Sequence, residues 1–265
     1  MQERAAAVVV DGLVNLRDLG GLRRVDGSVT PYGVFLRSEN VDAVTERGWE
    51  QLRALGVRTV VDLRQPGERE RDANGRPRWL TTRAVDLDGL ENDEFWKDYW
   101  ENGLVGTALY YVPHLIAMPE RSGTALSAIV TAPPGGVLFH CMGGRDRTGM
   151  IAMLLLLAAR VDPEEIVSDY METVRRGELR AAHGRRPNDE PGIEEFCRGH
   201  GTTTERAFRD ALASVRIDLL LADAGIPAAE RRLIETWRGT LESSDARRPR
   251  AAARPTAPST GTSGA

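Results

Sequence analysis

The sequence predicts an α/β fold: a central, partly parallel sheet flanked by helices, with helical additions. Three observations predict it. Short β-branched runs alternate with stretches of helical period, the apolar run Val137-Leu138-Phe139 is followed, across a polar Gly-rich loop, by a second apolar stretch, and the 265 residues are 41% hydrophobic and 28% charged, as a globular chain should be.

The elements follow in order. Asp26-Gly27 between Val25 and Val29 reads as a hairpin turn, because this dipeptide tolerates positive φ. Trp49, Leu52 and Leu55 recur at helical spacing, and Gly56 then stops that helix. Val57 to Leu63 is a β-branched strand, and Pro133 to Gly136 is a turn feeding the buried strand Val137 to Phe139. Thr148 to Arg160 is apolar all round and predicts a helix inside the core. Asp162-Pro163-Glu164-Glu165 supplies an N-cap, a first-turn proline and the glutamate of a capping box, with Val167, Tyr170, Met171 and Val174 as the buried stripe. Further helices are expected over Glu205 to Ala224 and Pro227 to Leu241, and Gly177 to Gly201 reads as an excursion or lid. From Glu242 onward periodicity stops, which predicts a disordered tail at 242–265 behind a folded body at 8–241.

Composition excludes several classes. A net charge of −4 argues against a nucleic-acid partner, and the single lysine among 35 basic residues points to genome bias rather than function. The longest apolar run, Met150 to Ala159, is half of what a bilayer helix needs, so no membrane span is expected. Met1 to Val10 lacks a basic start and a long greasy stretch, and two cysteines are too few for a disulfide framework. The first feature predicts a cytoplasmic chain, and the second leaves a thiol free for chemistry.

The chemistry concentrates in His140-Cys141-Met142-Gly143-Gly144-Arg145-Asp146-Arg147-Thr148-Gly149, between a buried strand and a buried helix. A helix starting near Arg147 turns unpaired N–H groups and its positive dipole end toward the preceding loop. Gly143 and Gly144 let that backbone curl into a nest for a tetrahedral anion, lined by Met142 to Arg147. Cys141 lies at its floor, where such surroundings favour the nucleophilic thiolate. The planar fork of Arg147 matches two phosphoryl oxygens, Thr148 can donate its hydroxyl to the sulfur, and His140 is better placed to orient the loop than to act as base. These parts predict a phosphate monoester hydrolase with a covalent intermediate and neither metal nor cofactor.

The string His-Cys, five residues, Arg-Thr resembles the signature of the cysteine-dependent protein tyrosine phosphatase superfamily. The fuller loop is similar to that of its bacterial, mycobacterial-type branch of tyrosine and dual-specificity phosphatases, with Arg145 where that branch usually has Lys. The branch's other elements match Asn15-Leu16-Arg17-Asp18-Leu19-Gly20-Gly21, Arg37-Ser38-Glu39, Asp62-Leu63-Arg64 and Asp169-Tyr170, so the likeness runs from about Val8 to Leu241. It implies a tyrosine phosphatase-like single domain acting on phosphorylated proteins, and supporting roles for Asn15, Arg17 and Asp18 near the site. For the general acid it offers two positions, Asp146 in the loop and Asp88 after a strand. Phosphoinositides or small-metabolite phosphates are the alternative substrates. A rhodanese-like sulfurtransferase and a silent phosphate-binding module are the remaining alternatives.

Other features have plainer readings. Cys197 is expected to be a buried small hydrophobe, the Phe95, Trp96, Tyr99 and Trp100 face a core anchor, and Arg175-Arg176 and Arg185-Arg186 surface charge with some capacity to attract anions.

Overall fold

The computed structural model describes residues 9–241. The expected tail at 242–265 and Val8 lie outside the described residues. Five strands form one mixed sheet: β1 (Arg17–Asp18), β2 (Phe35–Ser38), β3 (Val57–Asp62), β4 (Thr81–Ala84) and β5 (Gly136–His140), in the order β1-β2-β5-β3-β4. Only the β1–β2 pair is antiparallel. Alternation along each strand divides the apolar residues between two faces. Leu36, Val60 and Leu138 pack on one side with Trp49 and Leu52 of α1 (Glu46–Ala54), while Phe35, Val61 and Phe139 join the larger core on the other.

Between the strands run α2 (Pro66–Arg69), α3 (Asp93–Glu101), α4 (Tyr111–Ala117) and α5 (Pro119–Val130). After β5 come the core helix α6 (Asp146–Ala158) and α7 (Pro163–Arg175), then α8 (Gly177–His183), α9 (Glu190–Gly199), α10 (Thr204–Ser214), α11 (Ile217–Asp223) and α12 (Ala228–Glu235). The apolar stretch after β5 is the helix the sequence predicts, with nearly every side chain of α6 buried. Among the described residues, no helix is long and apolar enough to cross a membrane.

Several expectations are corrected. The turn at Gly27 (φ +83°) exists, but the flanking chain makes an isolated bridge, Arg23 to Val29, rather than a strand pair. Asp162 caps α7 by accepting from the Glu164 N–H, so no capping box forms, and Met171 and Val174 are only half-buried. The helix expected over Glu205 to Ala224 is broken at Val215, whose extended backbone separates α10 from α11. The last helix stops at Glu235 because Trp237 and Arg238 turn into left-handed conformations. That turn buries the indole against Phe35 and lets Arg238 donate to the carbonyls of Ala132, Pro133 and Gly135. The segment at 177–201, expected as an excursion or lid rather than core, carries helices α8 and α9, and it contributes to the interior through Ala181 and the fully buried Cys197. On α3, Trp96 is buried and Phe95 stacks on Tyr99, but Trp100 is exposed.

Candidate active site

The parallel register brings four strand ends to one level: His140 of β5 pairs with Ser38 of β2 and Asp62 of β3, and Asp62 pairs in turn with Ala84 of β4. The segments that leave these ends carry Glu39 and Asn40, Arg64 to Glu68, Asp88, and Cys141 with its loop. Crevices beyond the carboxyl ends of parallel strands are where open α/β sheets place ligands.

The loop after β5 is held by its carbonyl groups. That of Cys141 accepts from His140 Nδ1 (3.0 Å), Met142 from the Asn40 N–H (2.9 Å), Gly143 from Asn15 Nδ2 (3.3 Å) and Gly144 from Arg37 Nη2 (2.8 Å). In a planar trans peptide the next N–H points opposite to the carbonyl. Four carbonyls tied to the surroundings therefore turn the N–H groups of Met142, Gly143, Gly144 and Arg145 toward the loop's interior, and none of these has an acceptor among the described residues. Gly144 is required here: its φ is +67°, and a Cβ would stand 2.5 Å from the Ser38 carbonyl oxygen. The open first turn of α6 adds its own N–H groups to the nest above Cys141, which is 3% exposed.

One wall of the loop is built on Asp169. Its carboxylate accepts from Arg17 Nε (2.5 Å) and Arg37 Nη1 (2.6 Å), and Arg17 also grips the Asn15 side chain (2.8 Å). Burial would raise Asp169, but the charges of Arg17 and Arg37 outweigh it and hold the carboxyl below the usual range. Burial, with the neighbouring Arg37 charge, brings Arg17 down to about 10. Every member of this wall is paired and all but the partly buried Arg17 are buried, and two of them, Asn15 and Arg37, reach loop carbonyls.

The opposite wall surrounds Arg147. Its Nη1 meets Glu68 and, at 2.8 Å, Asp88, and its Nη2 donates to the second Glu68 oxygen at 2.8 Å. Glu68 is presented by α2, whose capping box closes between Gln65 and Glu68. Burial would raise Glu68, but the hydrogen bonds and charge of Arg147 keep it low. Asp88 is pushed up to about 6 by burial, with Glu68 and Asp86 adding to the rise and Arg147 opposing it. Behind this wall, the Arg64 fork holds Asp62 (2.7 and 2.9 Å) and Asp72 (2.6 and 2.9 Å). Asp62 lies 3.8 Å from His140 Nε2, and burial takes that imidazole down to about 4, so His140 is neutral and orients the Cys141 carbonyl.

The sequence-predicted residues divide accordingly. Cys141, Met142, Gly143, Gly144, Arg147, His140, Asn15, Arg17 and Asp88 are brought together. Arg145 is not turned into the nest: its side chain is drawn away to Glu190 (2.9 Å), Asp146 (3.0 Å) and the face of Tyr170, leaving only its N–H to the loop. Asp146 is occupied by Arg145 and, at 3.5 Å, the Tyr111 hydroxyl. The Thr148 hydroxyl makes no bond to the sulfur. Enclosed within the base of α6, it has no hydrogen-bond partner among the described residues. Asp18 does not reach the loop either; its carboxylate accepts the N–H groups of Gly20 and Gly33 (2.7 Å each) and shapes that turn. Sequence reasoning missed Glu68, Glu190 and the pairing of Arg37 with Asp169. The clue to Glu68 was the Gln65-Pro66-Gly67-Glu68 cap directly after Asp62-Leu63-Arg64.

Comparison with known proteins fits this geometry. Residues 8–221 match the profile described as the tyrosine phosphatase family. The chain is 33% identical over 171 residues to a Cupriavidus necator protein whose name assigns it to the tyrosine-protein phosphatases, covering 63% of this chain and 62% of that one. It is 32% identical over 181 residues to a tyrosine-protein phosphatase of Nostoc commune, covering 64% and 60%. It is 29% identical over 168 residues to the triple specificity protein phosphatase PtpB of Mycobacterium tuberculosis, covering 53% and 61%. The chain thus spans about three fifths of the length of these relatives.

Proposed function

The chain belongs to the tyrosine phosphatase family, and on that footing we propose that it hydrolyses phosphate monoesters, protein phosphotyrosine first among them, through a cysteinyl-phosphate intermediate. The observation that carries this reading is the loop of inward N–H groups around Cys141, closed on one side by the Arg147 fork. We assign the catalytic domain to residues 8–241. Two free thiols, Cys141 and Cys197, support a reducing, cytoplasmic setting, and the bacterial relatives support a bacterial source.

The steps follow from the contacts. The dianionic phosphoryl group enters the nest, where the amides and Arg147 bind its non-bridging oxygens and Asp88 gives up its place on Nη1. The Cys141 thiolate attacks phosphorus, a sulfur–phosphorus bond forms and the ester P–O bond breaks. The amides and Arg147 hold the equatorial oxygens as charge spreads onto them. Asp88, raised by burial to about 6 and so still protonated in mildly acidic solution where an ordinary carboxylate is ionised, gives its proton to the leaving oxygen. Water then attacks phosphorus, Asp88 takes a proton back, and phosphate leaves with the thiolate restored. Asp88 suits the acid role better than Asp146: it touches Arg147 and its carboxyl is raised, whereas Asp146 is engaged with Arg145 and Tyr111.

The test is rapid-quench trapping with a labelled aryl phosphate. Label on Cys141, and loss of both label and turnover in Cys141→Ser, are the expected results; turnover surviving in the serine variant would overturn the covalent mechanism.

A further inference from the structure

From the free donor edges that converge on Gly143, we infer that Arg180 and Arg186 form a second anion subsite beside the Cys141 loop, which takes a further phosphate group carried by the same substrate molecule. The inference rests on the phosphatase reading above and deepens it toward the substrate class.

Arg180 lies on α8 with its side chain only 3% exposed. Its Nη2 donates to Glu190 and its Nε to the Thr173 carbonyl at 3.2 Å, which fixes the plane of the guanidinium. The remaining nitrogen, Nη1, has no partner among the described residues. Arg186 is held in the same way at one nitrogen: Nη1 donates to Asp189 at 2.7 Å, and Nη2 has no partner among the described residues. Both free edges face one point of the loop. A Cβ placed on Gly143 would stand 3.3 Å from Arg180 Nη1 and 3.8 Å from Arg186 Nη2. Because position 143 is glycine, no side chain stands between the two edges and the loop.

Two unpaired guanidinium edges that converge on one point, at least one of them desolvated, select a multivalent oxyanion over a neutral group, since charge-assisted pairs to phosphate are the strong and directional ones. The subsite is separate from Arg147, which is engaged with Glu68 and Asp88 across the loop. A substrate seated at Cys141 therefore meets Arg180 and Arg186 with whatever lies next to its scissile phosphate. A second phosphate is the group that satisfies both edges.

Calorimetry on the Cys141→Ser protein tests this without turnover, using two matched pairs. One is a peptide with a single phosphotyrosine against the same peptide with two adjacent phosphotyrosines; the other is a soluble inositol monophosphate against its vicinal bisphosphate. The doubly phosphorylated member of at least one pair should bind about tenfold more tightly, the worth of one or two charge-assisted bonds. That ratio should fall toward unity when Arg186→Gln or Arg180→Gln is added. Arg186 is 41% exposed, so its variant keeps the test sharp should loss of Arg180 disturb the α8–α9 packing. Preference confined to the peptides marks a protein carrier, preference confined to the inositol pair marks a headgroup, and preference in both marks the phosphate pair itself; each supports the subsite. Equal binding within both pairs, or a preference that survives Arg186→Gln, overturns it. Failure of the phosphatase reading would look different, as absence of label on Cys141 in the wild-type protein.

Discussion

Two buried aspartates flank the same loop, both touch arginines, and their carboxyl groups are shifted in opposite directions. Asp169 is held low and Asp88 is raised to about 6. Burial pushes both upward, so the difference lies in the ratio of charges. Asp169 has two guanidinium groups, Arg17 and Arg37, to itself. Asp88 shares one guanidinium, Arg147, with Glu68 and also faces Asp86, so negative charge is in excess there. Excess cation makes a wall that stabilises a loop; excess carboxylate makes a wall that holds a proton ready. The comparison teaches that burial and ion pairing are not enough to tell a structural aspartate from a reactive one.

The largest expected effect separates the two walls by activity. Asp88→Asn should lower kcat by about 10²–10⁴-fold on a substrate with a poor leaving group, and should remove the fall in kcat/KM that wild type shows as pH rises through about 6. Asp146→Asn should retain that fall. Steady-state pH profiles of the two variants decide between them, and an Asp146 variant that alone loses the inflection would reverse the assignment.

On the other wall the expected loss is in stability. Asp169→Asn leaves the buried Arg37 and the partly buried Arg17 without a counter-charge, a change of about 3–5 kcal/mol by denaturant titration. A loss below about 1 kcal/mol would show that these arginines find water instead.

How much of this was legible in the sequence follows from the same contrast. The strand, loop and helix around Cys141 are local, so residues 136–158 can be read from pattern alone. The glycine need at position 144 shows in the loop motif, although its physical cause, the Ser38 carbonyl, lies on a different strand. The charge ratio at each aspartate is set by tertiary contacts. Glu68 is 79 positions from Arg147 and Glu190 is 45 from Arg145, and only the parallel register and the folding back of α9 bring them in. For that reason Asp88 and Asp146 were indistinguishable in sequence, and Arg145 read as a phosphate ligand when its side chain serves α9. The break between α10 and α11 was invisible because Val215 carries no proline or glycine signal.

A third, smaller effect is in the pH dependence of stability, where the two aspartates have opposite signs. Asp88 is raised when folded, so the folded state binds the extra proton between about 4 and 6. Its ionised form costs stability above that window, about 3 kcal/mol at most, and the cost disappears as pH falls. Asp169 is lowered when folded, so its contribution is present above the ordinary carboxylate range and is lost as pH falls through its folded value. Between pH 7 and 5, the stability of wild type relative to Asp88→Asn should therefore rise, measured by urea titration at each pH. A flat difference would mean that Asp88 is not raised in the folded protein.

The smallest expected effect tests the cause of the shift. Glu68 raises Asp88 through its charge and competes with it for Arg147, so Glu68→Gln removes the like charge and leaves Arg147 as a fuller counter-ion. The inflection of kcat/KM attributed to Asp88 should move to lower pH, toward the ordinary carboxylate value. Because Asp88 is then the one carboxylate paired with Arg147 among the described residues, the resting ion pair tightens and substrate must displace a better-held carboxylate. KM should rise by a few-fold at neutral pH, the scale of a partly exposed charge pair. An inflection that stays near 6 in Glu68→Gln would assign the shift to burial alone, and the ratio of charges would then no longer distinguish the two walls.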